Sequence, residues 1–222
     1  MTRPEPSAEE APAVPLGMFP LGTVLFPGMP LPLHVFEPRY RALTKDCLRS
    51  GRRFGVVLIE RGSEVGGGDN RFGIGTVARI VVEAEFPDGR WALVTKGEQR
   101  IRIATWLPDD PYPLALVQDL PPEGREWLDP RALSECERTV RRALALGAEL
   151  GLDRSELPVL APAVFQLDSD PEQAAWQLCD AVPVGSMDRQ RLLEAPASER
   201  LGLLLELAEG AAELFAWRLS GR

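Results

Sequence analysis

The residues that could carry chemistry are few and far apart. His34 is the only histidine. An imidazole cluster around a metal is therefore ruled out, and a Ser-His-Asp triad would have to use His34 as its base. Leu33 and Val35 flank it in a strand-like run, a setting for a packed or surface histidine rather than a base. The three cysteines, Cys47, Cys136 and Cys179, form no CxxC pair and read as buried, reduced thiols in an intracellular setting. A phosphate loop of the form GxxxxGK[ST] needs backbone amides and a lysine around the phosphates. Lys45 and Lys96 are the only lysines, and neither follows such a loop. Gly66-Gly67-Gly68-Asp69 has no lysine and precedes no helix, so it reads as a flexible connector. Glu37 and Arg39 suit pairing or capping at a helix start. Carboxylates are plentiful, but no spacing sets two of them together for acid–base work, and Asp109-Asp110 between prolines reads as a solvated turn. No catalytic residue, cofactor or metal is expected.

The chain that must position these residues has two differently patterned halves. It has 222 residues, 45% of them hydrophobic, enough to bury a sizeable core. A formal charge of −8 disfavours general nucleic-acid binding, which needs clustered Lys and Arg. Residues 1–14 are rich in Pro, Ala and Glu and read as a disordered tail, without the basic start and apolar run of a signal peptide. No apolar stretch reaches the roughly 20 residues of a membrane span, so a cytoplasmic location is expected.

Residues 15–36 read as strand, Pro/Gly corner, strand, with Phe19, Leu25, Phe26, Leu33 and Phe36 as candidate core. Glu37-Pro38 starts a helix over residues 37–50, because proline at the first helical position gives up a donor that has no partner there anyway. Tyr40, Leu43, Cys47 and Leu48 share one face of that helix, and Gly51 stops it. Strands follow over 54–59, 76–86, 91–95, 99–106 and 114–118. Asp88-Gly89 makes a hairpin turn, Lys96-Gly97-Glu98 a second turn, and residues 61–70 a loop. Six or seven short sequential antiparallel strands predict a small, partly closed barrel.

Composition changes at Leu120-Pro121-Pro122-Glu123-Gly124, and everything after it reads helical. Helices are expected from Asp129-Pro130 to Leu150, from Asp170-Pro171 to Ala181, from Met187 to Leu193, and from a Ser198 cap to Leu219. In the last, Leu201, Leu204, Leu205, Ala208, Ala212 and Phe215 make an apolar stripe that belongs to a bundle core. The class is α+β, with a barrel over 15–120 and a helical bundle over 121–222.

Several ordered motifs resemble one family. Pro20, Phe26, Pro27 and Gly28, followed by Phe36, Glu37, Arg39 and Tyr40, resemble the opening of the Lon protease N-terminal (substrate-binding) domain. Phe54-Gly55-Val56-Val57-Leu58-Ile59, Gly73-Ile74-Gly75-Thr76-Val77-Ala78-Arg79-Ile80 and Gly97-Glu98-Gln99-Arg100-Ile101-Arg102-Ile103 resemble its later strands in the same order. Leu192-Leu193-Glu194 and Glu199-Arg200-Leu201 are similar to the helices that follow. The resemblance implies a PUA-like pseudo-barrel followed by helices. It also implies a stand-alone substrate-recognition protein without the Walker A motif or the Ser-Lys protease domain of full-length Lon proteases.

Two functions follow from this. One is a non-enzymatic module, an adaptor in proteolysis or quality control, that binds unfolded or exposed peptide segments or a specific protein partner. Its candidate contacts are Trp91, Trp106 and Tyr112, with the 61–70 loop. The other is RNA binding, because PUA-like folds also occur in RNA-modifying proteins. That reading needs Arg49, Arg52, Arg53 and Arg71 to gather on one face.

Overall fold

The computed structural model describes residues 13–61, 70–121, 123, 128–152 and 165–221. The expected tail up to residue 12, the glycine-rich loop over 62–69, and Pro122 and Gly124 lie outside the described residues. Val14, assigned above to the tail, is the first residue of a strand.

Six strands make one mixed sheet among the described residues: β1 (Val14–Leu21), β2 (Pro30–Val35), β3 (Arg53–Arg61), β4 (Asn70–Glu85), β5 (Trp91–Leu107) and β6 (Leu114–Asp119). The order is β2-β5-β4-β3-β1-β6, and β5 also pairs with β6. That second pairing closes the barrel. Residues 91–96 of β5 pair with β2, and residues 101–107 of the same strand pair with β6. Five strands therefore form a ring, and β2 extends the sheet beyond it.

Two expectations about the strands are corrected. Lys96-Gly97-Glu98 is not a turn, because β5 runs through it unbroken. Gly97 is needed for a different reason: a Cβ there would lie 2.2 Å from the carbonyl oxygen of Phe26. The glycine lets the Pro27-Gly28 corner cross β5 closely enough for the Gly97 N–H to donate to Met29 (2.9 Å) and the Gly28 N–H to Gly97 (2.8 Å). Nor are the strands all antiparallel. β1 and β3 run parallel, as they must when β2 and the helix α1 (Pro38–Arg49) form the crossover between them.

α1 starts at Pro38, buries Tyr40, Leu43, Thr44 and Cys47, and ends at Ser50 before Gly51 with φ +94°. The hairpin at Gly89 (φ +78°) is held by Phe86 and Arg90. Beyond the barrel come α2 (Pro130–Glu149), α3 (Pro171–Ala181), α4 (Ser186–Glu194) and α5 (Ala197–Ser220). Asp129 and Asp170 cap α2 and α3 by accepting the N–H groups of Arg131 and Glu172. Ser198 lies inside the first turn of α5, whose cap position is Pro196.

Met18, Val57, Val77, Ile101, Ala115 and Val117 fill the barrel interior. A larger core lies outside the ring and runs without a break from Phe19, Phe26 and Phe54 to Trp176, Leu178, Leu192 and Leu204 of the helices. Phe36, expected in the core, is 54% exposed. Val35 takes the last inward position of β2, and the next residue faces out before Pro38 turns the chain into α1.

Candidate functional site

The extension made by β2, the first part of β5 and the end of β4 has two unlike faces. Inward, Leu33, Val35, Trp91, Leu93 and Ile80 belong to or pack against the larger core. Outward stand Pro32, Val94 and Val82 in one cross-strand row and His34, Ala92 and Ala84 in the next. Phe36 and Phe86 continue the series, and the rings of Phe86 and His34 lie 6.5 Å apart. An antiparallel sheet with one wet face alternates apolar-in and polar-out; this one is apolar on both. Val82 is 58% exposed, Phe36 54%, Phe86 41% and Val94 37%. Val81, the extra residue of a bulge between Ile80 and Val82, adds to the same exposed apolar surface. Contiguous exposed apolar surface of this kind marks interaction sites.

The β4 carboxylates that might have covered this surface point elsewhere. Glu85 meets Lys45 of α1 at 3.6 Å, and Glu83 is bound by Arg52, which holds its carboxyl below the usual range.

The outer edge of β2 is poorly suited to accept another strand. Gly97 donating to Met29 sets the phase of the ladder, so Leu31, Leu33 and Val35 direct their backbone groups to β5. Pro30, Pro32 and His34 direct theirs outward, and two of those three residues have no N–H. Proline on an edge blocks sheet extension.

Along one border of the apolar face runs a basic row. Lys96 sits opposite Arg79, and Arg79 opposite Arg53, across β5, β4 and β3. Glu98 is held by both arginines, at 2.6 Å from Arg53 and 2.5 Å from Arg79.

The row opens into a cleft of about 1200 Å³ where barrel meets bundle, lined by Pro27, Gly28, Arg100, Glu123, Gln173 and Trp176 among others. Its floor is a polar network. The fully buried Arg200 donates from Nε to Leu192 O (3.1 Å) and from Nη2 to Ala195 O (2.5 Å), and binds the Glu123 carboxylate through both terminal nitrogens. Arg100 donates to Leu193 O (2.7 Å) and to Glu123. Burial, then the neighbouring Arg200, pulls the Arg100 guanidinium below its usual range, while Glu123 opposes that shift. Arg200 lies over the Trp176 ring at 4.1 Å, and that ring stacks on Phe26 at 5.8 Å. Arg189 lies over the Phe26 ring at 4.9 Å and donates to the Asp180 carbonyl and carboxylate.

The three aromatic residues singled out as contacts are not brought together. Trp91 is buried in the core under the apolar face, so its ring is not part of the surface. Trp106 lies at the far end of β5, half-buried beneath Arg71 at 4.3 Å. Tyr112 donates to Asp46 at 3.0 Å, and burial with that carboxylate pushes its phenol up to about 12. The opening motif is dispersed as well. Pro20 and Phe26 are buried, Pro27 and Gly28 line the cleft, and Phe36 is on the apolar face. Glu37 and Arg39 pair at 3.1 Å, and Tyr40 stacks on Phe19 at 4.0 Å. Of the four arginines weighed for RNA, Arg49 faces Asp46, Arg52 faces Glu83, and Arg71 lies 3.9 Å from Asp109; only Arg53 joins the basic row. Among the described residues no group of His, Cys, Asp and Glu could hold a metal, and no helix is long and apolar enough to cross a membrane.

Residues 15–209 match the model of the ATP-dependent protease La (LON) substrate-binding domain. The chain belongs to the Lon substrate-binding domain family. It is 30% identical over 209 residues to the Lon protease of Anaeromyxobacter dehalogenans and 30% identical over 211 residues to Lon protease 2 of Myxococcus xanthus. Each match covers 93% of this chain and 24% of the relative, so the chain spans about a quarter of the length of these Lon proteases. Among solved structures, the Lon N-terminal domain protein from Xanthomonas campestris superposes with a TM-score of 0.62 at 28% identity, covering 87% of this chain and 98% of that one. The N-terminal domain of Mycobacterium avium complex Lon protease shares the fold, with a TM-score of 0.58 at 18% identity over 88% and 98%. This Lon-type domain thus carries the α+β barrel-and-helices fold of the family.

Proposed function

We propose that this chain is a non-enzymatic recognition module that binds exposed apolar segments of unfolded or partly unfolded proteins, and acts as an adaptor in proteolysis or quality control. The observation that carries the reading is the outward face of β2, β5 and β4, apolar where solvent should select polar residues. Membership of a substrate-binding family supports it. The edge prolines favour a segment laid across the face and held by its side chains, over one joined to β2 as a further strand. On the floor of the cleft beside it, Arg200, Arg100 and Glu123 are engaged with one another and with the carbonyls of Leu192, Leu193 and Ala195, which suits a structural role for that network. Three buried free thiols suit a reducing cytoplasm.

The test is fluorescence anisotropy with a labelled, permanently unfolded protein chain. Binding is expected for the intact protein, with at least a tenfold loss in the V82S/V94S double variant, on the order of the apolar area those side chains would bury. Equal binding by both proteins would remove the face from the reading.

A further inference from the structure

The basic row beside the apolar face has a meaning that apolar capture alone does not supply. Lys96, Arg79 and Arg53 stand directly opposite one another on three adjacent strands, and like charges so placed repel. Among the described residues Glu98 is the one carboxylate paired in this row, with Arg53 and Arg79, so the row of three cations holds a single negative charge. Lys96 is exposed, and no described carboxylate lies within ion-pair distance of it. In a chain of net charge −8, the two outward cross-strand rows, Pro32, Val94 and Val82, then His34, Ala92 and Ala84, hold no carboxylate. The neighbouring β4 acids, Glu83 and Glu85, are turned toward Arg52 and Lys45. The row itself therefore carries more positive than negative charge, and the further carboxylates of the cleft it opens into, Asp119, Glu123 and Glu172, have no ion pair to it among the described residues.

Geometry places that charge at one end of the apolar surface. From the Phe36–Phe86 end to Lys96 the face follows β5 from Trp91 to Lys96, roughly 20 Å at a strand's rise per residue. An extended segment of about six residues spans that distance.

We propose that the segment bound on this face is an apolar stretch with acidic side chains at the end lying over Lys96, Arg79 and Arg53. This rests on the apolar reading of the face and adds the charge that selects among apolar segments. The carboxylates of the bound segment complete the ion pairs that Glu98 alone cannot. Two or three partly exposed pairs of this kind account for about a tenfold preference. The preference fades as salt screens them.

The experiment uses the full chain and labelled peptides with blocked termini. Each has the same six-residue apolar block, followed or preceded by three Asp, three Asn or three Lys. The Asp peptides are expected to bind about tenfold more tightly than their Asn counterparts at low ionic strength, the difference closing toward 0.5 M salt. In the K96E variant, and in the milder K96Q, the Asp preference is expected to shrink, and in K96E to turn toward the Lys peptide. Circular dichroism checks the fold of both variants. If Asp and Asn peptides bind equally well, the charge proposal fails and apolar capture stands. If no peptide binds, both fail. If a single-stranded oligonucleotide binds more tightly than the Asp peptides and K96E abolishes that binding, the row serves nucleic acid and the proposal is overturned.

Discussion

Two regions of this molecule depart from the ordinary partition of polar and apolar groups, in opposite directions. At the barrel–bundle junction, charged groups are buried: Arg200 is fully enclosed, and Arg100 and Glu123 nearly so. On the outward face of β2, β5 and β4, apolar groups are exposed. The junction tolerates its charges because every guanidinium nitrogen of Arg200 meets an oxygen, and Trp176 and Phe26 supply ring faces. The outward face has no such compensation among the described residues. The difference separates two uses of an unusual surface. A saturated anomaly fixes the geometry of the fold, and an unsaturated one is what the proposed reading assigns to a partner.

The contrast can be broken most forcefully at the junction. Arg200→Ala leaves the Glu123 carboxylate and two carbonyls in a buried site, and should lower stability by about 3–5 kcal/mol; urea unfolding measures it. A loss under 1 kcal/mol would mean that the network is ornamental. Gly97→Ala comes next, with an expected loss of about 2–3 kcal/mol, because the added methyl meets the Phe26 backbone and not a movable side chain. Thermal unfolding checks it, and Gly73→Ala, which meets nothing, is the control.

Alkaline pH probes the same dry interior. Burial pushes Cys47 and Cys179 up to about 12 and Cys136 to about 11. The folded chain therefore holds these protons more tightly than the unfolded one. The associated stability is full below the unfolded thiol value near 9 and is lost as pH rises from there toward 12. A loss on the order of 1 kcal/mol per thiol is expected by pH 10.5, read from urea midpoints across the range. At pH 8 the native thiols should resist an alkylating reagent that consumes all three in urea.

The outward face should behave in the opposite way. V82S/V94S is expected to change stability by no more than about 0.5 kcal/mol, since neither side chain packs in the core, while peptide binding falls tenfold. Smallest of all is the effect of the edge. Backbone N-methylation of a bound peptide should alter its affinity less than about twofold, because no ladder with β2 is formed. A loss of tenfold or more would restore strand addition as the mode of capture.

Much of the scaffold was legible in residue order, because local chemistry decides it. Pro38, Asp129-Pro130 and Asp170-Pro171 start helices, and Gly51, Gly89 and Gly151 adopt the positive φ their stops and turns require. The exposed apolar face was not legible. Residues 91–95 read only as a strand after the hairpin, and the pairing of β5 shows that Trp91 and Leu93 take the core while Ala92 and Val94 are left outside. Aromatic type pointed to Trp91, Trp106 and Tyr112, yet those rings are turned inward or held by Arg71 and Asp46. The Lys96–Arg79–Arg53 row has no signal in the chain, since its members lie on three strands joined by register alone.

What the sequence determined by itself was the family, the element types and the absence of a His-based metal cluster or a phosphate loop. These rest on motifs and spacings that survive without tertiary contacts. What only the tertiary structure decided was that β5 passes straight through Gly97 and closes the ring, that Glu123 joins Arg100 to Arg200, and which face stays uncovered. Each depends on residues far apart in the chain reaching one place, and the physics that brings them there, backbone close approach, desolvation and cross-strand register, acts between elements rather than within them.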